Sequence, residues 1–336
     1  MQYVICENPG VVTSREKAPP EPGAGEVLLK VRNIGICGTD IHAFGGNQAF
    51  FTYPRILGHE LSAEVIQTGS EHSALSTGDR VVVMPYFYCG KCKACEVGKT
   101  NCCQQLKVFG VHIDGGMQEM ISVSEKFLIK VNQLTDASAA IIEPLSIGAH
   151  ALRRAQPEKE GTVLVMGCGP IGLGIIKQAN IMGLRTIALD IDEHRLKTAK
   201  LFFGADEAVH ISHNTTTEVE SLTQGNLADV VIDATGNKNA LENGIKYMRH
   251  GGKYVLVGLY KGDLTFHHPE IHAKETSLLC SRNATKEDFI QVIDLLEKQL
   301  FPVDQYITLK RPFQQIETQF KKWISLPEQI KIIIEL

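Results

Sequence analysis

The sequence predicts an α/β protein in two parts, a β-rich barrel-like part and a doubly wound parallel-sheet domain. Three observations carry that expectation. The 336 residues are 43% hydrophobic and 21% charged, with a mean hydropathy of -0.04, so there is apolar surface for two cores and no sign of extensive disorder. The first third consists of short β-branched runs punctuated by proline and glycine. From about Gly161 apolar strands alternate with helical stretches, the pattern of a parallel sheet with crossover helices.

Val27, Leu29 and Val31 alternate with Leu28, Lys30 and Arg32, the period of a half-buried strand, and Arg80-Val81-Val82-Val83-Met84 is a second run stopped by Pro85. Pro19, Pro20, Pro22, Gly23 and Gly25 precede the first strand, while Gly45-Gly46 and Gly115-Gly116 punctuate later ones. Further on, Thr162 to Met166, Arg185 to Asp190, Asp229 to Asp233 and Lys253 to Val257 read as strands. Ile171, Ile175, Ala179 and Met182 recur at helical spacing, Glu193 to Phe203 forms a second helix, and Lys286 to Gln299 a third. The chain ends on the apolar run Ile330 to Ile334.

Charge narrows the partners. With 34 Lys and Arg against 38 Asp and Glu the formal net charge is -4, so no global field draws the chain to a polyanion, and nucleic acid is not an expected partner. The N-terminus lacks a basic region followed by a long apolar stretch, and no apolar run reaches 18 residues; the expectation is a cytoplasmic protein without a membrane partner. Nine cysteines are unusual for such a chain. Five fall between Cys89 and Cys103, which in a reducing compartment suggests metal before disulfides.

Gly167-x-Gly169-x-x-Gly172 follows an expected strand and opens an expected helix, and Asp190 ends the next strand about 20 residues on. In that context the glycines serve a tight turn, close approach of a pyrophosphate and close helix packing, and the helix N-terminus meets the phosphate charge. Gly167, Gly169, Pro170, Ile171 and Gly172 are therefore candidate dinucleotide contacts. Asp190 would bind the adenosine ribose and repel a 2'-phosphate, which favours NAD over NADP; Arg195 and Arg282 are further candidates near the cofactor. Cys89, Cys92 and Cys95, with Cys103 or its neighbour Cys102, form a short thiolate loop suited to a closed tetrahedral zinc, hence a structural one. Catalysis would then lie elsewhere.

In chain order, Gly35-Ile36-Cys37-Gly38-Thr39-Asp40-Ile41-His42, Gly58-His59-Glu60, the cysteine cluster, Glu143-Pro144-Leu145 and the glycine loop resemble the zinc-dependent medium-chain dehydrogenases over essentially the whole chain. The chain is more similar to the sorbitol and threonine dehydrogenase branch, because Glu143 stands where alcohol dehydrogenases have a cysteine. The resemblance implies a GroES-like β-barrel catalytic domain over 1–146 with a structural-zinc lobe, a Rossmann NAD-binding domain over 147–284, and a return to the catalytic domain over 285–336. It implies two zinc ions per chain. The catalytic one would sit on Cys37 and His59, with Glu60 and Glu143 left open between direct, water-mediated and alternating binding. Thr39 and His42 would relay a proton outward, and Asp40 would hold His59.

Segments around Gly45 to Arg55, Phe109 to Gly116 and Ser281 to Thr285 resemble bacterial hexonate 5-dehydrogenases, which implies oxidation of L-gulonate to D-fructuronate or L-galactonate to D-tagaturonate. A hexonate needs a cation for its carboxylate, and Arg55, His112, Arg282 and Asn283 are candidates around it. A polyol or L-threonine dehydrogenase would share every metal and cofactor residue. A non-catalytic zinc- and NAD-binding regulatory protein is a third reading. Family members are homodimers or homotetramers, and the sequence itself does not choose between them.

Overall fold

The structure, a computed structural model, describes every residue except Glu328. The chain divides into two compact units, Met1–Pro144 with Ala284–Gln299 and Val303–Leu336, and Leu145–Asn283 with Leu300–Pro302.

The first unit is built around the strand Glu26–Ile36. Val27, Leu29, Val31 and Ile34 are fully buried on it while Lys30 and Arg32 are only half-buried, but Leu28 is buried as well, so the expected alternation holds only from Leu29 to Arg32. One edge pairs antiparallel with Glu60–Thr68. The other is shared, by Met120–Ser124 along the first half and by the C-terminal strand Lys331–Glu335 along the second. Arg80–Val83 and Leu128–Lys130 extend the sheet beyond Glu60–Thr68, and Ile307–Pro312 extends it beyond Lys331–Glu335. A seven-stranded sheet thus joins strands of the N-terminal part of the chain to the two strands Ile307–Pro312 and Lys331–Glu335 at its C-terminal end. The expected run beginning at Ile330 becomes a strand from Lys331, whose side chain is only 1% exposed.

The second unit holds six parallel strands in the spatial order Glu207–His210, Arg185–Asp190, Thr162–Met166, Ala228–Asp233, Met248–Leu256, Ser277–Cys280. That order runs 3-2-1-4-5-6, so consecutive crossovers leave Thr162–Met166 in opposite directions and open a crevice beyond its C-terminal end. Leu164, Ile187, Val209, Val231 and Tyr254 are fully buried between the sheet and its helices. The fifth strand starts at Met248, five residues before the expected Lys253, with a register shift in its pairing between Ala228 and Val230. Arg249, His250, Gly251 and Gly252 hide that beginning, because charge and glycine depress strand propensity. Leu300–Pro302 groups with this unit because Phe301 packs edge-on against Phe203, ring centroids 5.7 Å apart. Among the described residues no helix is long and apolar enough to cross a membrane.

Candidate active site and metal centres

At Ile36 the central strand ends and the helix Gly38–Phe44 begins, with Cys37 at its N-cap in extended geometry. Asp40, on the first turn and fully buried, accepts the Cys37 amide at 2.9 Å through Oδ2 and the Gly58 amide at 3.2 Å through Oδ1. One carboxylate thus ties together the two segments that carry Cys37 and His59. Gly58 has φ +90°, a conformation that favours glycine, and turns the chain so that His59 precedes the strand Glu60–Thr68. The His59 Nδ1 lies 3.7 Å from Asp40 Oδ1, too long for a hydrogen bond, and is otherwise a buried nitrogen without a partner. Burial pushes the His59 imidazole toward neutrality, but Asp40 and Cys37 outweigh it and hold its pKa well above the usual value.

Glu60 stands directly opposite Gly35 in the antiparallel register, where a Cβ on Gly35 would come within 2.0 Å of Glu60 Oε2. The first glycine of the Cys37 motif is therefore the space the carboxylate fills. Ile333 pairs with Gly35 from the other side. Lys331, two residues before it, projects from the same face. Its Nζ donates to both Glu60 oxygens at 2.7 Å and to the Ile36 carbonyl at 3.1 Å. Burial pulls the Lys331 amine down, but the surrounding anions, Glu60 foremost, raise its pKa above the ordinary value.

One ligand atom each from Cys37, His59 and Glu60 lies within 4.8 Å of the others. A sulfur, an imidazole nitrogen and a carboxylate oxygen, converging in a buried site with an orphaned histidine nitrogen, fit a borderline metal such as zinc. Glu143 stands outside that closest set, at the start of the helix Ile142–Ala155. It is buried and accepts a hydrogen bond from the Tyr86 hydroxyl, and burial raises its carboxyl to about 7. Thr39 and His42 lie three residues apart on the helix Gly38–Phe44, half-buried and exposed respectively, and so share a face.

Cys89, Cys92, Cys95 and Cys103 form the second set. The Cys92 sulfur is 3.5 Å from Cys95 and 3.9 Å from Cys103, bracketing the roughly 3.8 Å expected between sulfurs placed tetrahedrally around zinc at about 2.3 Å. Amides aim at these sulfurs: Cys89 and Gln105 donate to Cys103, and Lys91 to Cys89. The Gln104 and Cys95 amides bring the Cys92 thiol down to about 6. Cys103 joins the set and is buried, whereas Cys102 is exposed outside it.

In the second unit the glycine loop divides its roles as the spacing suggests. Gly167 has φ +89°, a Cβ on Gly172 would meet the Gly167 carbonyl at 1.7 Å, and Gly169 faces open space. Gly169 caps the helix Pro170–Ile181, with Pro170 in its first turn and Ile171 after it. Asp190 ends the neighbouring strand, 5% exposed, and accepts the Cys168 amide at 2.6 Å and the Asp192 amide at 2.9 Å, so it is fixed beside the loop. Arg195 lies one turn into the helix Glu193–Phe203, 3.9 Å from Asp192. Arg282 is exposed just past the edge strand Ser277–Cys280, three strand spacings or about 14 Å from the strand that carries the loop.

Two of the candidate substrate residues, Arg55 and His112, make contacts within the chain. Arg55 pairs with Asp114 at 3.2 Å and donates to Thr52 at 3.1 Å, and His112 Nδ1 accepts the Val108 amide at 3.0 Å. Asn283 takes φ +54°, the turn geometry asparagine tolerates. Lys331 and Tyr86 are not singled out by sequence motifs. The available signal for Lys331 was a lone charge inside an apolar strand; for Tyr86 there was none.

With this geometry in view, residues 23–133 match the alcohol dehydrogenase GroES-like domain and residues 170–298 the zinc-binding dehydrogenase domain. The chain belongs to the zinc-type medium-chain alcohol dehydrogenase family, and it is an oxidoreductase of CH–OH groups whose cofactors are zinc and a nicotinamide dinucleotide. It is 41% identical to L-galactonate-5-dehydrogenase of Escherichia coli K12 over 335 residues, covering 99% of this chain and 98% of that protein. Sorbitol dehydrogenase of Bacillus subtilis is 32% identical over 266 residues, covering 77% and 75% of the two chains. A crystal structure of the alcohol dehydrogenase RspB from E. coli CFT073, complexed with NADH, superposes with a TM-score of 0.93 at 32% identity, covering 100% of this chain and 99% of that one.

Proposed function

We propose that this chain oxidises a secondary alcohol of a hexonate, L-galactonate or L-gulonate, with NAD as hydride acceptor, at a zinc held by Cys37 and His59. The observation that carries the reading is the convergence of Cys37, His59 and Glu60 in a buried site separate from the four-cysteine set. Zinc bound there supplies Lewis acidity that makes a substrate hydroxyl easier to deprotonate. The chain's own residues do the rest. Asp40 fixes the spacing of Cys37 and His59 through two backbone amides. Thr39 and His42, on one face of their helix, carry the released proton outward to the exposed imidazole. Glu143, its carboxyl raised to about 7 by burial and bonded to Tyr86, carries less than a full negative charge near neutrality. The glycine loop with Asp190 holds NAD, and the four cysteines with their amides hold a structural zinc.

The substrate class rests on the likeness to the L-galactonate enzyme. A polyol is the second reading, favoured by the likeness to sorbitol dehydrogenase and by the internal pairing of Arg55, which leaves that cation committed. The nine free cysteines and net charge of -4 support a cytoplasmic protein without nucleic-acid or membrane partners, and we place it there as a homodimer or homotetramer. The test is NAD reduction with L-galactonate, L-gulonate, sorbitol and L-threonine side by side. A hexonate should give the highest kcat/KM; preference for sorbitol or threonine would refute the substrate class while leaving the metal and cofactor reading intact.

A further inference from the structure

Between the fifth and sixth strands of the parallel sheet the chain forms a short helix, His268–Ala273. Its inner side is settled. Ile271 packs on the apolar core of this unit, and Lys274, the buried residue at the helix C-cap, donates to the Ile245 carbonyl at 2.8 Å and to the Met248 carbonyl at 2.9 Å. Glu270 turns to the same lysine, 3.7 Å away. The outer side carries His268 and His272, both exposed. Four residues apart on a helix, they share one face, and their ring centroids lie 6.0 Å from each other. Neither belongs to the metal sets at Cys37 or at the four cysteines.

We propose that His268 and His272 form a surface site for a divalent cation of the zinc and nickel class, with solvent completing the coordination, and that the ion clamps this helix. A zinc bound to one nitrogen of each ring at about 2.1 Å would set the ring centres roughly 5 Å apart. The pair therefore has to close by only about 1 Å, a move that exposed side chains make freely. Once one imidazole has bound, the second bond is intramolecular. Helical zinc motifs draw two histidines from the same i, i+4 spacing. Imidazole nitrogen suits zinc and nickel, whereas magnesium and calcium want oxygen. The clamp follows from length. Six residues close too few hydrogen bonds to make a helix stable by itself, and a metal that ties its first turn to its second binds only while the helix is formed. Metal occupancy and local order are therefore linked.

The experiment titrates zinc(II) into the full-length protein with its tightly held metal in place, reading binding by calorimetry and amide exchange by mass spectrometry. Both side chains are exposed, so asparagine variants leave the core intact, and the cysteine-bearing sites are common to every protein compared. Wild type should show a zinc-binding step that H268N and H272N each weaken about tenfold or more. H267N should match wild type, because adjacent helical residues do not share a face. At free zinc ten times the dissociation constant, exchange at residues 268–276 should slow about tenfold in wild type and in H267N, and should not slow in the other two. Magnesium should produce neither effect. Zinc binding unchanged in both H268N and H272N would overturn the site, as would an H267N protein weakened as much as they are or an equal response to magnesium. Zinc uptake in wild type without slower exchange would overturn the clamp.

Discussion

Gly35 shows how a single missing side chain can set a charged site. Glycine is required there because the Glu60 carboxylate occupies the space a Cβ would take, at 2.0 Å from its ideal position. Gly35→Ala must displace Glu60 or the strand beneath it, and overpacking of this kind costs about 1–3 kcal/mol. The urea midpoint should fall accordingly, and metal affinity at Cys37 and His59 should change with it; a variant of unchanged stability would mean that Glu60 has another place to go. Asp40 is the complementary case, a side chain whose two oxygens align backbone rather than touch a metal. Cys37, Asp40 and His59 could be picked out from the sequence because short motifs keep them beside fixed neighbours. Lys331 could not, since its meaning depends on a strand register 271 residues away, and neither could the choice of Cys103 over Cys102, which depends on which sulfur the turn aims inward.

At the scale of elements, the βα turn after Thr162–Met166 is shaped for the proposed cofactor contact by Gly167, with its positive φ, by Gly172, which packs on the Gly167 carbonyl, and by Gly169, which leaves open space at the helix N-terminus. Asp190 is locked to that turn by the Cys168 amide. On the proposed reading, Asp190→Ser would remove a charge-assisted hydrogen bond to the ribose, worth about 1.5–3 kcal/mol, and the repulsion of a 2'-phosphate. The ratio of kcat/KM for NAD over NADP should drop by at least roughly tenfold, and an unchanged ratio would remove Asp190 from cofactor selection. In the first unit the turn before Arg80–Val83 is secured by Asp79, which bonds Lys130 at 2.7 Å, Asn132 at 2.9 Å and the Ser76 amide at 2.9 Å. The Lys130 and Asn132 bonds bring its carboxyl down to about 2, against about 4 when unfolded. Because the folded value is the lower one, this contribution is complete above about pH 4 and is lost as pH falls from about 4 to about 2. Asp79→Ala should cost about 1–3 kcal/mol at neutral pH and flatten that part of the stability profile; an equally steep profile in the variant would assign acid sensitivity elsewhere.

At the scale of the whole molecule, the chain returns to its first unit at the end. Lys331–Glu335 completes the sheet begun by Glu26–Ile36, so a truncation before Lys331 would remove both an internal strand and the partner of Glu60. Composition could suggest two units and the change of texture could place the parallel sheet, but the return rests on pairing between distant segments, which local periodicity does not encode. The short segment Leu300–Pro302, held to the other unit by Phe301 on Phe203, is a packing detail of the same kind.

The central claim is that the chemistry belongs to Cys37 and His59 and the four-cysteine zinc is structural. Metal content per chain, measured together with NAD binding and turnover in Cys37→Ser, tests it most directly. Wild type should hold two zinc ions, and the variant should hold one, bind NAD as before, and lose roughly 10³-fold or more in kcat, as expected when a Lewis acid worth several kcal/mol is removed. Full turnover in a Cys37→Ser protein that has lost that zinc would contradict the account.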